Sequence, residues 1–151
     1  MYNNIEISTS IRYNKSYKHL QPITNKQINW AQSVLEKCKD YLLLPKDLKI
    51  HFRPIYKDIY FGLYCNDLKT VFIDPRQNKS RKTFLCTLIH ELAHADQFEN
   101  GYLEDNDDGS VIWHGVLHPC IGNINYDKYS NLPWEKDAEK VVKNLLPILK
   151  K

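Results

Sequence analysis

The sequence lacks the long apolar runs, paired cysteines and one-sided charge that mark several large classes of protein. No run approaches the roughly 20 apolar residues of a membrane span, and residues 1–18 lack the apolar core of a signal peptide, so we expect a cytoplasmic protein without a membrane partner. Its four cysteines are far apart and form no C-x-x-C pair, which excludes a zinc ribbon or a disulfide framework and predicts reduced thiols. The formal net charge is +3 and is spread along the chain, so charge does not argue for a nucleic-acid partner, although it does not exclude one.

No repeat and no Gly/Ser/Pro-rich linker divides the 151 residues, a length typical of one compact domain. The residue pattern predicts, in order, a helix over 24–43, strands at 49–55, 58–65 and 70–73, a helix over 80–98, a loop at 104–109, a strand or hairpin arm at 110–117, and a last helix from Pro133 that Pro147 should kink or end. We therefore expect one α+β domain over residues 1–151, with a short, mostly antiparallel sheet and a loosely ordered arm at 1–20. A monomer is assumed.

The segment H-E-L-A-H at residues 90–94 lies within the second predicted helix. A step of four residues is about one helical turn, so His90 and His94 project from the same face and can bind one metal ion. Glu91 lies about 100° further round the helix, where it can act on a water molecule bound to that ion. The pattern predicts a catalytic zinc site with one Zn²⁺ per chain and Glu91 as the general base. Two surface histidines paired with glutamates are the structural alternative, but the apolar residues around the motif predict a buried helix.

A catalytic zinc site requires a third protein ligand, and the sequence offers two main candidates. Glu135, in the first turn of the last predicted helix, is preferred, because small Ala138 one turn later would let that helix pack closely against the H-E-L-A-H helix. Glu139 could then accept a hydrogen bond from a liganding histidine. The alternative interpretation is that both glutamates only favour the start of their helix. His114 is the main rival as the third ligand.

Further residues could donate a hydrogen bond to the oxyanion that forms when a peptide bond is attacked. His114 and His118 would share a face if their segment is one strand, and Tyr126 and Tyr129 lie shortly before the Glu135 helix. Ordinary packing is the alternative explanation for each of them.

The segment T-L-I-H-E-L-A-H at residues 87–94, followed by P-W-E-x-x-A from Pro133, resembles the small gluzincin-type, minigluzincin-like metallopeptidases of phages and prophages. The resemblance covers about residues 71–142. It implies a zincin-like fold, Glu135 as the third zinc ligand and a peptide or protein substrate. Glu139 stands where the family usually has an aspartate. The resemblance also implies that substrate binds along the strand at 70–73, or along its neighbour.

A weaker resemblance is to the SprT-like proteases, on the H-E-x-x-H motif and on His114-Gly115, with His114 then as the third ligand. Three hypotheses follow. The first is a zinc metallopeptidase in which Glu91 assists attack by a zinc-bound water. The second is a DNA-associated SprT-like protease, and the third is a zinc-stabilised structural or regulatory module without catalysis.

Overall fold

The structure is a computed structural model and describes residues 6–9, 21–55, 61–120, 122 and 125–151. These residues form an α+β fold, as predicted, with four helices, a four-stranded mixed sheet and a three-stranded antiparallel sheet. The elements are β1 (Glu6–Thr9), α1 (Gln21–Cys38), β2 (Lys49–Phe52), β3 (Gly62–Cys65), β4 (Thr70–Ile73), α2 (Arg81–Glu99), β5 (Leu103–Asp105), β6 (Val111–Trp113), β7 (Val116–His118), α3 (Tyr126–Ser130) and α4 (Pro133–Leu149). No helix in the described ranges has the length and apolar character needed to cross a membrane.

The larger sheet has the strand order β1-β2-β4-β3, and the prediction of a mostly antiparallel sheet is wrong for it. β1 runs parallel to β2, β2 runs parallel to β4, and only β3 is antiparallel to its neighbour β4. β1 and β2 can be parallel because α1 lies between them in the chain, and a helical connection allows the next strand to run in the same direction as the one before it. The prediction of a loose arm at 1–20 is wrong for residues 6–9, which form β1, while 1–5 and 10–20 lie outside the described residues.

The core lies between this sheet and the helices. Alternate side chains of β2 and β4 point to the helix side, so Ile50 and Phe52 are buried beside Val71 and Ile73. The apolar residues of α2, including Phe84, Leu85, Leu88, Ile89 and Leu92, are buried against this face and against α4. Ser80 caps α2 by accepting a hydrogen bond from the Thr83 N–H at 3.1 Å. The H-E-L-A-H segment is therefore held by a largely buried helix, as predicted.

The smaller sheet has the order β5-β6-β7. The segment predicted at 110–117 as a strand or hairpin arm is a hairpin of two strands, because His114 and Gly115 form a two-residue turn with φ values of 47° and 80°. Two successive positive φ values are typical of the primed turns that join the strands of a hairpin. The predicted loop at 104–109 begins later than expected, because Leu103–Asp105 pairs with Val111–Trp113.

The last helix, α4, begins at Pro133 as predicted, but Pro147 does not end it. The helix continues to Leu149, although Pro147 has no N–H to donate to the Lys143 carbonyl one turn earlier and so removes one hydrogen bond of the helix. α4 packs against α2 with Ala138 fully buried. This helix pair forms the candidate metal centre.

Candidate metal centre

Three potential ligand atoms converge between α2 and α4. Nε2 of His90 lies 2.8 Å from Oε2 of Glu135, and Nε2 of His94 lies 3.2 Å from the same oxygen. The two Nε2 atoms are 3.2 Å apart. Ligands at zinc bond lengths in a tetrahedral arrangement are about 3.3 Å apart, so the three atoms are spaced almost as they would be around one ion.

Other hydrogen bonds direct both imidazoles toward this point. Nδ1 of His90 lies 2.9 Å from Oε1 of Glu139, and Nδ1 of His94 lies 2.8 Å from Oε1 of Gln97. A carboxylate or amide oxygen only accepts hydrogen bonds, so each Nδ1 carries a proton and each Nε2 is left to face Glu135. Three electron-pair donors meeting in a partly buried space require a cation. His90, His94 and Glu135 can therefore hold a metal ion, and they are the only such group of three or more among the described residues.

The pKa values of these residues indicate the same preference for positive charge. Burial lowers the pKa of His94, but the hydrogen bond that it donates to Glu135 and the charges of nearby carboxylates outweigh burial and raise the pKa to about 9. Burial raises the pKa of Glu135, but hydrogen bonds to His90 and His94 hold it well below its usual value. A proton thus stabilises the cluster when the metal is missing, and a metal ion would take its place.

Glu91, between the two histidines in sequence, is 9% exposed and reaches the opposite wall of the site. Its Oε2 accepts a hydrogen bond of 2.8 Å from the backbone N–H of Tyr64 in β3. Burial raises the pKa of Glu91 above its usual value, because burial outweighs the charges of His94 and His90, which lower the pKa. A carboxylate with a raised pKa beside a metal site is suited to accept and then return a proton.

A cleft of about 460 Å³ opens onto these groups. Its walls come from β3, α2, α3 and α4, and its lining residues include Phe61, Gly62, Cys86, Thr87, His90, Glu91, Tyr126, Tyr129, Ser130, Glu135 and Glu139. Both candidate tyrosines thus lie at the cleft. Tyr129 hydrogen-bonds to Glu135, whereas Tyr126 is 65% exposed.

The candidate histidines outside the motif lie elsewhere. His114 occupies the β6–β7 turn, where its ring stacks on Tyr102 with a centroid distance of 4.7 Å. His118 packs edge-on against Trp134 at 5.3 Å. Neither belongs to the metal-binding group, and the idea that they share a strand face is wrong because the turn at His114 separates them. The alternative that His114 is the third ligand is therefore not supported by the structure.

Sequence reasoning missed two contributors to the site. One is Gln97, and its only sequence signal is a polar side chain three residues, or about one helical turn, after His94. The other is Gly62, where an added Cβ would lie 2.7 Å from Cγ2 of Thr87 and 3.4 Å from Cγ of Glu91. Only the packing of β3 onto α2 reveals this close approach.

All four cysteines are free, as predicted. Cys86 lines the cleft one turn before His90, and Cys120 lies against Gly109. Neither belongs to the metal-binding group. In comparisons with known proteins, no family model, no curated protein and no solved structure matched the chain.

Proposed function

We propose that this chain is a zinc-dependent peptidase of zincin-like design, with Zn²⁺ held by His90, His94 and Glu135 and with Glu91 as the catalytic base. The observation that carries the proposal is the convergence of the three ligand atoms at one end of an open cleft, with the Glu91 carboxylate lining the same cleft. Two imidazoles and a carboxylate suit zinc, and three protein ligands leave a position open.

The same donor set also binds iron in some enzymes. Glu91 supports hydrolysis, because attack by water on a peptide bond needs a base beside the metal. A zinc ion in this site would supply a water molecule of lowered pKa and would polarise the substrate carbonyl. Glu91 would take the proton of the attacking water and deliver it to the leaving amine.

The substrate backbone is expected along β3, which is an edge strand of the larger sheet in the described part of the chain. The strand at Thr70–Ile73 is β4, which lies between β2 and β3 and is therefore paired on both sides. Of the two predicted walls, this one is wrong, and its neighbour β3 is the one we propose. The Asp74 N–H donates to the Phe61 carbonyl at 3.1 Å, and in an antiparallel ladder alternate residues turn toward the neighbouring strand. Gly62 and Tyr64 therefore turn their backbone groups away from β4. Because the Tyr64 N–H donates to Glu91, an extended peptide that adds there as a strand would pair with Gly62 and with the Tyr64 carbonyl.

A decisive experiment separates the base from the ligands. Glu91→Gln keeps the size of the side chain and all three ligands, so zinc content and fold should persist while peptide hydrolysis falls by about 100-fold or more. Metal content is measured by mass spectrometry, which also distinguishes zinc from iron, and activity is measured with quenched fluorescent peptides. Undiminished turnover by Glu91→Gln at full zinc occupancy would contradict the mechanism.

The two alternatives have their own tests. A SprT-like protease should be stimulated by DNA in a salt-dependent manner, whereas we expect activity to be nearly unchanged by DNA. A purely structural module should show no hydrolysis and should close its zinc with a fourth protein ligand.

A further inference from the structure

Gln97 links one metal-ligand candidate to the helix that carries another. It is 1% exposed, and its Oε1 lies 2.8 Å from Nδ1 of His94. Its Nε2 donates to the carbonyl oxygen of Trp134 at 2.9 Å and to Oδ2 of Asp137 at 2.8 Å. Trp134 and Asp137 flank Glu135 in the first turns of α4.

The two partners in α4 determine which way the amide faces. A backbone carbonyl and a carboxylate only accept hydrogen bonds, so a reversed amide would set Oε1 against two oxygens. The NH₂ group must therefore face α4, and Oε1 must face His94. As an oxygen acceptor, Oε1 requires the proton of His94 to be on Nδ1, which leaves Nε2 facing Glu135.

We propose that Gln97 is a positioning residue for the metal centre. It holds the proton of His94 on Nδ1 and keeps the first turn of α4 at a fixed distance from that ring, so that Nε2 of His94 and Oε2 of Glu135 converge. The role rests on the metal site of the proposed function. It links the orientation of a ligand on α2 to the docking of α4.

The chemistry explains why an amide suits this position better than a carboxylate. Glutamate could accept from His94, but its second oxygen would face the carboxylate of Asp137 and the Trp134 carbonyl without a donor between them. The equivalent partner of His90 is Glu139, whose side chain is 58% exposed and which makes no such second bridge among the described contacts. Of the two side chains that accept a hydrogen bond from Nδ1 of a histidine, Gln97 is thus the buried one.

The first test compares two fully buried glutamines. Gln97→Met keeps length and apolar bulk but removes all three hydrogen bonds, and zinc affinity, measured by competition with a chelator, should weaken by about 10- to 100-fold. Gln27→Met is the control, because Gln27 is also fully buried and donates to the Pro75 and Asn78 carbonyls, outside the metal-binding group. It should lose stability without weakening zinc affinity.

A spectroscopic signal distinguishes positioning from general stabilisation. The Nδ1 proton of His94 should give a ring ¹⁵N–¹H resonance that exchanges slowly with water, with and without zinc. Gln97→Met should abolish the slow exchange, and Gln27→Met should not. Because this signal does not need metal, it tests the bond between His94 and Gln97 separately from zinc binding. A wild-type chain that binds no zinc would overturn the metal site and the positioning role with it, whereas zinc binding without the slow resonance would overturn the role of Gln97 alone.

A second pair of variants tests the bridge to α4. Gln97→Glu alone should weaken zinc binding, since it opposes Asp137, and adding Asp137→Asn should recover most of the loss by restoring a donor opposite the new acceptor. The proposal is overturned if Gln97→Met keeps wild-type zinc affinity and the slow resonance, if both methionine variants lose zinc equally, or if Asp137→Asn brings no recovery.

Discussion

The backbone N–H of Tyr64 donates a 2.8 Å hydrogen bond to the carboxylate of Glu91, so β3, an edge strand among the described residues, is connected directly to the proposed base. The wall along which we expect substrate to bind and the group expected to move a proton are thereby fixed relative to each other. A peptide added to β3 would place its backbone directly beside Glu91.

This relationship depends on the absence of a side chain at Gly62. A Cβ there would lie 2.7 Å from Cγ2 of Thr87 and 3.1 Å from the Phe72 carbonyl oxygen. Gly62→Ala should push β3 away from α2, cost about 1–3 kcal/mol of stability and lower kcat/KM, because the Tyr64 bond to Glu91 is stretched. Thermal unfolding and peptide hydrolysis measure the two effects.

A second substitution provides the matched control. Thr87→Ser removes Cγ2 but retains the hydroxyl, which donates to Oδ1 of Asn78 at 2.6 Å. Thr87→Ser alone should be nearly neutral, and in the Gly62→Ala background it should restore much of the lost stability and activity. A Gly62→Ala protein with wild-type stability and kcat/KM would show that the close approach is unimportant.

The third ligand can be identified by zinc binding alone. Glu135→Ala removes one of three converging ligand atoms, so zinc affinity should fall and the stabilisation of the fold by added zinc should shrink with it. His114→Ala should retain one zinc per chain, since His114 lies in the β6–β7 turn. Titration with a chelator and thermal unfolding with and without zinc measure both. Loss of zinc from His114→Ala with full retention by Glu135→Ala would reverse the assignment.

The two tyrosines of the cleft should behave differently when each loses only its hydroxyl. Tyr129 hydrogen-bonds to Glu135, so Tyr129→Phe should weaken zinc binding several-fold by loosening that carboxylate. Tyr126→Phe should leave zinc affinity unchanged, and a fall in kcat without a change in KM would identify Tyr126 as the oxyanion donor. Equal zinc affinity in both variants would remove Tyr129 from the support of the ligand.

Asp74, a fully buried carboxylate after β4, should contribute to the stability of the fold in a way that depends on pH. Burial raises its pKa, but donors from Arg76, Ile55 and Gln77 outweigh burial and leave the pKa below its usual value. The ionised form therefore stabilises the fold above the unfolded-state pKa of about 3.9, and this stabilisation is lost as the pH falls through the lower folded-state pKa.

Asp74→Asn should cost about 2 kcal/mol at neutral pH, because its NH₂ group would face hydrogen-bond donors. It should also flatten the loss of stability in acid. Urea unfolding of the metal-free protein between pH 7 and 3 measures both, and Asp40→Asn, at an exposed site, is the control. Parallel pH curves for the wild type and Asp74→Asn would contradict this role.

The sequence by itself determined the local part of the site. His90, Glu91 and His94 are related by the geometry of one helical turn, which any helix over these residues imposes. The start of α4 at Pro133 could also be predicted, because proline favours the first position of a helix. This start places Glu135 in the first turn. Such features depend on neighbours in sequence, and the structure agrees with them.

Only the tertiary structure decided which distant groups meet. The parallel pairing of β2 with β4, the edge position of β3 and the contact of Gly62 with Thr87 depend on how the sheet is connected and packed. Gln97 and Trp134 are 37 residues apart, and the hydrogen bond between them exists only because α4 docks on α2. The turn at His114 is a local feature that the sequence did not reveal. Its two positive φ angles place His114 in a hairpin turn, and His114 is not one of the three converging residues. Helical spacing is set by local backbone geometry, whereas these contacts depend on the packing of the whole core.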